Sequence, residues 1–255
     1  MDLVLVSATL KKGELKAARY YVYAVHNKLS EEMYTVHEDT MKSAKKKRPA
    51  VRKTFRHGDL RRALLDAGIA LAREGGPSAV VLREATRRAG VAPNAAYRHF
   101  SSHSDLLQAV RSAALSSLAL AIEAEIAGVR RSKRPAESAR ATLRAVGTGY
   151  LKFALAETGL FRTAFSVPDQ VEGDLDAAKT GKSGLNPFQL LGSALDLMVE
   201  ANVLPRERRA GAEYIAWSAV HGLAFLIIEG PLSRASGKEI HALSDRLLQM
   251  VEKGL

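Results

Sequence analysis

One tight turn and one short helix are all that fit into Gly90-Val91-Ala92-Pro93-Asn94-Ala95-Ala96-Tyr97-Arg98-His99-Phe100. Glycine at 90 lets the chain reverse sharply after a helix, and Pro93 opens the next one without giving up a hydrogen bond. Val91, Ala96 and Phe100 can point inward. Asn94, Tyr97 and Arg98, spaced i, i+3 and i+4 on a helix running from Pro93 to His99, share the outward face. Two helices come before this turn. Asp59 to Glu74 sets Leu60, Ala63, Leu64, Ala67 and Leu71 on one face and stops at Gly75-Gly76-Pro77, and Val81 to Ala89 turns Leu82, Ala85 and Ala89 inward. The three together form a helix-turn-helix with a supporting helix.

The rest of the chain has almost no sustained period-2 alternation and no internal repeat, so the expected fold class is all-α. Ser102 with Asp105 three residues on resembles a capping box opening a long helix to about Ile126. Further helices are expected at about 136–157, 159–166, 187–202, 206–231 and 238–253, punctuated by Pro187, Pro205 and Pro231, with a loop from Ser166 to Pro187. Tyr214 to Ile228 is apolar nearly all round, whereas Ile240, Leu243, Leu247 and Val251 make a single stripe. An isolated monomer would struggle to bury both, which argues for a dimer sharing helices. The domains expected are an extension at 1–57 ending in a basic arm, a helix-turn-helix domain at 58–104 and a C-terminal dimerisation domain at 105–255. Residues 1–40 have two readings: an extra helix on the body, or sequence upstream of a true start at Met41.

Charge narrows the partner. The net charge is +11, and residues 41–57 contribute +8 of it without a single acid. Residues 58–104 add seven arginines against four acids, and the remaining 23 basic and 23 acidic residues cancel. All the excess therefore lies in and just before the helix-turn-helix, as on a phosphate-facing surface. No continuous apolar run approaches the ~20 residues that span a bilayer, and Met1-Asp2-Leu3-Val4-Leu5-Val6 does not resemble a secretory signal. No membrane partner is expected, and the expected location is the cytoplasm. With no cysteine the chain forms no disulfide.

The outward side chains suit a major groove: Asn94 can bond an adenine edge, Arg98 can fork onto guanine, and Tyr97 and His99 can donate to phosphates. The run Leu82-Arg83-Glu84-Ala85, Ala89 to Phe100, and Asp105-Leu106-Leu107 closely resembles the signature of the tetracycline-repressor (TetR) family of bacterial transcription regulators, over about residues 58–110. Trp217-Ser218-Ala219-Val220-His221-Gly222 likewise resembles the Trp-x-x-x-His-Gly motif of one C-terminal class of that family. The resemblance implies a homodimer on double-stranded DNA. Each protomer would have three DNA-binding helices and a six-helix C-terminal domain, and a small molecule in its core would loosen DNA binding. By matching positions, Arg83 would reach the groove or backbone, Pro93, Asn94, Tyr97 and Arg98 would face bases, and His99 would hold phosphate. Two positions depart from the pattern: Val81 stands where Ser or Thr is usual, and His103 where Lys is frequent. The basic arm can compensate, with Lys45, Lys46, Lys47, Arg48, Arg52 and Lys53 running along phosphates or into the minor groove.

Tyr150, Phe153, Phe161, Phe165, Phe188, Tyr214, Trp217 and His221 are the candidate lining of an effector pocket, with Tyr214 or His221 as its polar handle. The effector expected is small and apolar or aromatic. Aromatic residues at helical spacing are also ordinary core, and His221 with Gly222 can serve close helix packing. Other signals fall away. Gly181-Lys182-Ser183 resembles the end of a phosphate loop, but Asp176 stands where a glycine is required. His99 and His103 straddle a helix break with no third metal ligand, and no nucleophile sits beside a base. Neither cofactor nor metal nor enzymatic activity is expected. The reading is a ligand-responsive repressor released from a palindromic operator; the alternative is a non-specific DNA-compacting or adaptor protein without an effector.

Overall fold

A computed structural model describes residues 57–130, 132–168 and 173–255. The described residues form nine α-helices and no strand, as the missing period-2 alternation implies. They are α1 His57–Gly75, α2 Leu82–Ala89, α3 Pro93–Ala96, α4 His103–Ala127, α5 Pro135–Ala156, α6 Thr158–Ala164, α7 Pro187–Glu200, α8 Ala212–Ile228 and α9 Gly237–Gly254. All lie within one compact unit, Ala50–Leu255. The basic arm, Lys45 to Lys53, lies outside the described residues.

Local chemistry sets the helix ends. Gly76, at φ 72°, takes the chain away from α1. Gly90 closes α2 in the left-handed conformation (φ 71°), which a side chain would strain. Ser102 Oγ accepts from the Asp105 amide at 3.1 Å, but the Asp105 carboxylate reaches one residue beyond the expected box, to the Ser101 amide at 2.9 Å. Asn186 with Gln189 and Ser236 with Glu239 form complete capping boxes on α7 and α9. One expected helix is shorter: 206–231 becomes a 3-10 turn at Arg206–Arg208, then Gly211 at φ 76°, then α8. The glycine breaks the helix that a start just after Pro205 would give.

α4 is the axis of the molecule. By length and composition it is the one described helix long and apolar enough to cross a membrane. Here that character serves the core, because α4 packs against α1, α5, α6 and α7. Near its start, Leu106 and Val110 lie under Gly68 of α1; near its end, Ile122 meets Gly149 of α5 at backbone contact. The expected domain boundary at 104/105 thus falls at the first turn of a helix that serves both parts. A second joint links them. A Cβ on Gly159, in the first turn of α6, would stand 2.1 Å from the Ala72 carbonyl oxygen, so the N-terminal end of α6 abuts the last turn of α1. An Arg73–Glu157 ion pair at 2.9 Å closes the same joint.

α8 leaves much of its surface uncovered. Ala216, Val220, Leu223, Ala224 and Ile227 are buried, but Ile215, Phe225 and Leu226 stay 61%, 44% and 42% exposed. On α9, Val251 is buried and Ile240, Leu243 and Leu247 are half-buried.

Candidate DNA-reading surface and effector site

α3 is a single turn, Pro93–Ala96, and residues 97–99 continue as turn rather than as the helix expected to His99. One turn of helix has no stability of its own, since nucleation costs more than its hydrogen bonds return. Tertiary anchors hold it instead. Ala96 and Phe100 are completely buried, and the Phe100 amide donates to the Ala96 carbonyl at 2.9 Å. The Arg61 guanidinium lies 5.1 Å from the Phe100 ring centroid, a cation over an aromatic face. Sequence reasoning missed Arg61, because nothing local in the chain couples the start of α1 to this turn.

Pro93, Asn94, Tyr97 and Arg98 are exposed, and His99 is half-buried. Asn94, Tyr97 and Arg98 make no hydrogen bond or ion pair with the described residues, which leaves their polar groups available. Tyr97 is 59% exposed, a large ring left in solvent.

The arginines of α2 divide in two. Arg87 donates to Glu84 at 2.8 Å, and Arg88 reaches Glu74 at 2.6 Å and Glu84 at 3.3 Å, pinning α2 to the end of α1. The hydrogen bond from Arg87 leads in holding the Glu84 carboxyl down to about 2, so it stays anionic and keeps both cations engaged. Arg83 is exposed and has no such partner among the described residues. Val81 is the N-cap of α2, is 44% exposed, and offers no side-chain cap. His103 is exposed at the first position of α4.

The C-terminal aromatic residues come together around His221. Its ring centroid lies 4.9 Å from Phe165, 5.5 Å from Phe161, 6.1 Å from Trp217 and 6.3 Å from Tyr150. Phe188 extends the cluster, 6.2 Å from Trp217 and 5.6 Å from Tyr214. Tyr214 itself is a rim residue, 41% exposed. Phe153 is buried but shares no ring contact with the others: on α5 it sits one turn beyond Tyr150 and packs elsewhere in the core. Polar atoms link the cluster. Trp217 Nε1 lies 3.1 Å from Tyr150 Oη, and that oxygen lies 2.7 Å from His221 Nδ1. Burial pushes the Tyr150 phenol up and the His221 imidazole down from their ordinary values, so both are neutral near pH 7.

The glycine turn at Gly181 does cradle an anion, but one from its own chain. The Glu123 carboxylate of α4 accepts from the amides of Lys182 and Ser183, each at 2.8 Å. Burial raises this carboxyl, but the hydrogen bonds from Ser183 and Lys182 outweigh it and hold the group below its usual range. Ser116 Oγ, on the same face of α4, donates to the Thr180 carbonyl at 2.7 Å, so the loop is strapped along α4. Among the described residues no cluster of His, Asp or Glu has a metal-binding arrangement.

Two family models match the chain: "Bacterial regulatory proteins, tetR family" over residues 64–110 and "Tetracyclin repressor-like, C-terminal domain" over residues 143–251. No curated protein is similar enough to count as a match. Among solved structures, a protein of unknown function from Rhodococcus sp. RHA1 is 23% identical, with a TM-score of 0.62 over 79% of this chain and 97% of that one. FadR from Bacillus subtilis, a transcriptional regulator in complex with stearoyl-CoA, is 15% identical, with a TM-score of 0.56 over 76% of this chain and 98% of that one. RolR in complex with resorcinol is 17% identical, with a TM-score of 0.50 over 76% and 87%. At these identities the structural likeness concerns the fold.

Proposed function

The chain belongs to the tetracycline-repressor family of bacterial DNA-binding transcriptional regulators, and from that premise we propose that it is a homodimeric repressor, released from a palindromic operator by a small apolar or aromatic effector. The observation that carries the DNA-reading half is the exposed face of Asn94, Tyr97 and Arg98, raised on the buried anchors Ala96 and Phe100. In this reading Asn94 and Arg98 choose bases, Pro93 and Tyr97 pack against base edges, and Arg83 and His99 hold the backbone. The arm from Lys45 to Lys53 supplies sequence-independent affinity. Each phosphate contact adds about 0.9 to the slope of log affinity against log salt, so deleting residues 1–56 lowers that slope. An unchanged slope would mean an idle arm.

A palindrome needs two readers, and α8 supports the second copy. Ile215, Phe225 and Leu226 are exposed along it, and a Cβ on Gly222 would meet nothing within 4 Å among the described residues. A helix glycine costs roughly 1 kcal/mol against alanine. A close crossing with the partner's α8 explains that cost. On this basis Ile215→Asp yields a monomer in sedimentation, and a dimer of unchanged affinity would remove α8 from the interface.

The effector half rests on the ring cluster around His221. One protein of this fold holds resorcinol and another stearoyl-CoA, which supports an aromatic or a lipid-like ligand; the aromatic surroundings here favour the former. The Trp-x-x-x-His-Gly class is the proposed subclass, and the cytoplasmic nucleoid the proposed place of work. Selection of bound sequences from random DNA, followed by footprinting upstream of the protein's own gene, tests the whole reading. The expected result is a palindrome with half-sites about one helical turn apart or a multiple of it. Strong salt dependence without sequence preference would instead establish a DNA-compacting protein.

A further inference from the structure

The linked polar atoms of the His221 cluster determine which hydrogen is left over. Trp217 Nε1 can only donate, so across 3.1 Å it gives its hydrogen to Tyr150 Oη. Tyr150 is then free to give its own to His221 Nδ1 across 2.7 Å. An Nδ1 that accepts leaves the hydrogen of a neutral imidazole on Nε2. Among the described residues no group takes that Nε2 hydrogen. Burial, which disfavours the imidazolium, agrees with this assignment.

Of the donors of Trp217, Tyr150 and His221, two are therefore spent inside the protein, and one remains. Resting on the effector reading above, we propose that the Nε2–H of His221 is the polar anchor that this linked group offers to a planar aromatic effector that carries a neutral hydrogen-bond acceptor, a carbonyl or ring nitrogen. Phe161, Phe165 and Trp217 surround the imidazole and receive the body of the ligand. Tyr150 is a positioning residue. It does not touch the effector but holds the tautomer that does. A ligand offering only donors finds no acceptor in this group, because Tyr150 Oη and His221 Nδ1 are both engaged.

Two measurements on the full chain test the proposal. Long-range proton–nitrogen spectra at pH 7.5, with the His221 signals assigned by their loss in His221→Phe, are expected to show the neutral Nε2–H tautomer. Tyr150→Phe is expected to give a mixture of tautomers. A wild-type Nδ1–H tautomer or an imidazolium overturns the proposal. Calorimetric titration with acetophenone and with ethylbenzene, near-isosteres differing in one acceptor, supplies the second test. Trp217 is the only tryptophan of the chain, so its emission reports where each probe binds. Acetophenone is expected to bind about tenfold tighter, the worth of one net hydrogen bond. His221→Phe is expected to close that gap while keeping ethylbenzene affinity. Equal wild-type affinities, with Trp217 emission perturbed, overturn the anchor but leave the aromatic site standing. Failure of both probes to bind overturns the anchor and the effector site together.

Discussion

The surface around Asn94 and the cluster around Tyr150 use polar side chains in opposite ways. Asn94, Tyr97 and Arg98 have no partners among the described residues, and all three stand in solvent. Trp217 spends its donor on Tyr150, and Tyr150 spends its own on His221, inside a ring cluster. A surface that reads a macromolecule can leave its donors in water at no cost to folding. A site in a core cannot, because an unmatched buried polar group costs about 1–3 kcal/mol. The exposed reader is thus chemically free but structurally dependent, resting on Ala96 and Phe100, whereas the ring cluster, built on the buried Tyr150 and Phe161, is structurally secure and chemically almost closed.

The largest expected effect comes from removing the reader's support. Phe100→Ala deletes a fully buried ring and is expected to cost about 3–5 kcal/mol in urea unfolding, with loss of operator binding. Unchanged stability would mean that α3 is held by something else. Arg98→Ala and Asn94→Ala touch only the reading face. They are expected to lower discrimination at one base position each by about 1–3 kcal/mol in competition binding while leaving the unfolding midpoint unchanged. Tyr150→Phe makes the opposite separation. Leaving Trp217 Nε1 and His221 Nδ1 without their partner is expected to cost about 1–2 kcal/mol of stability with operator choice intact. Val81→Ser is expected to stabilise, by about 1 kcal/mol in thermal unfolding, because it gives α2 the cap it lacks. The smallest effect belongs to Glu123→Gln, which weakens the strap on the Gly181 turn. The Glu123 carboxyl is depressed in the folded state. Its contribution is therefore fully present above the ordinary value of 4.5 and is lost as pH falls through the lower folded value. The stability difference between wild type and variant is expected to hold from pH 7 to 5 and to shrink below pH 4 in denaturant titrations.

Much of the reader was legible because helical spacing is a local property. The i, i+3, i+4 pattern of Asn94, Tyr97 and Arg98 sets a common face, and the structure leaves all three exposed. The length of α3 was not legible, since its end after Ala96 is set by the burial of Phe100 rather than by a breaker residue. The cluster was half legible. Aromatic content nominated eight residues, but which rings meet depends on how α5, α6, α7 and α8 cross. Phe153 and Tyr150 are one turn apart on α5, and only Tyr150 joins the cluster.

The sequence by itself determined the helical class, the turn at Gly90, the outward face of the reader and the place of the positive charge. Each follows from residues within a few positions of one another, where backbone geometry leaves little choice. Tertiary structure alone decided that Arg88 is engaged by Glu74, that Arg61 covers Phe100, and that the Gly181 turn holds Glu123 rather than a phosphate. It also decided which hydrogen of the Tyr150 group is left free. Hydrogen bonds and ring contacts act over 3 to 6 Å in space, and only the packing of distant helices brings their partners within that reach.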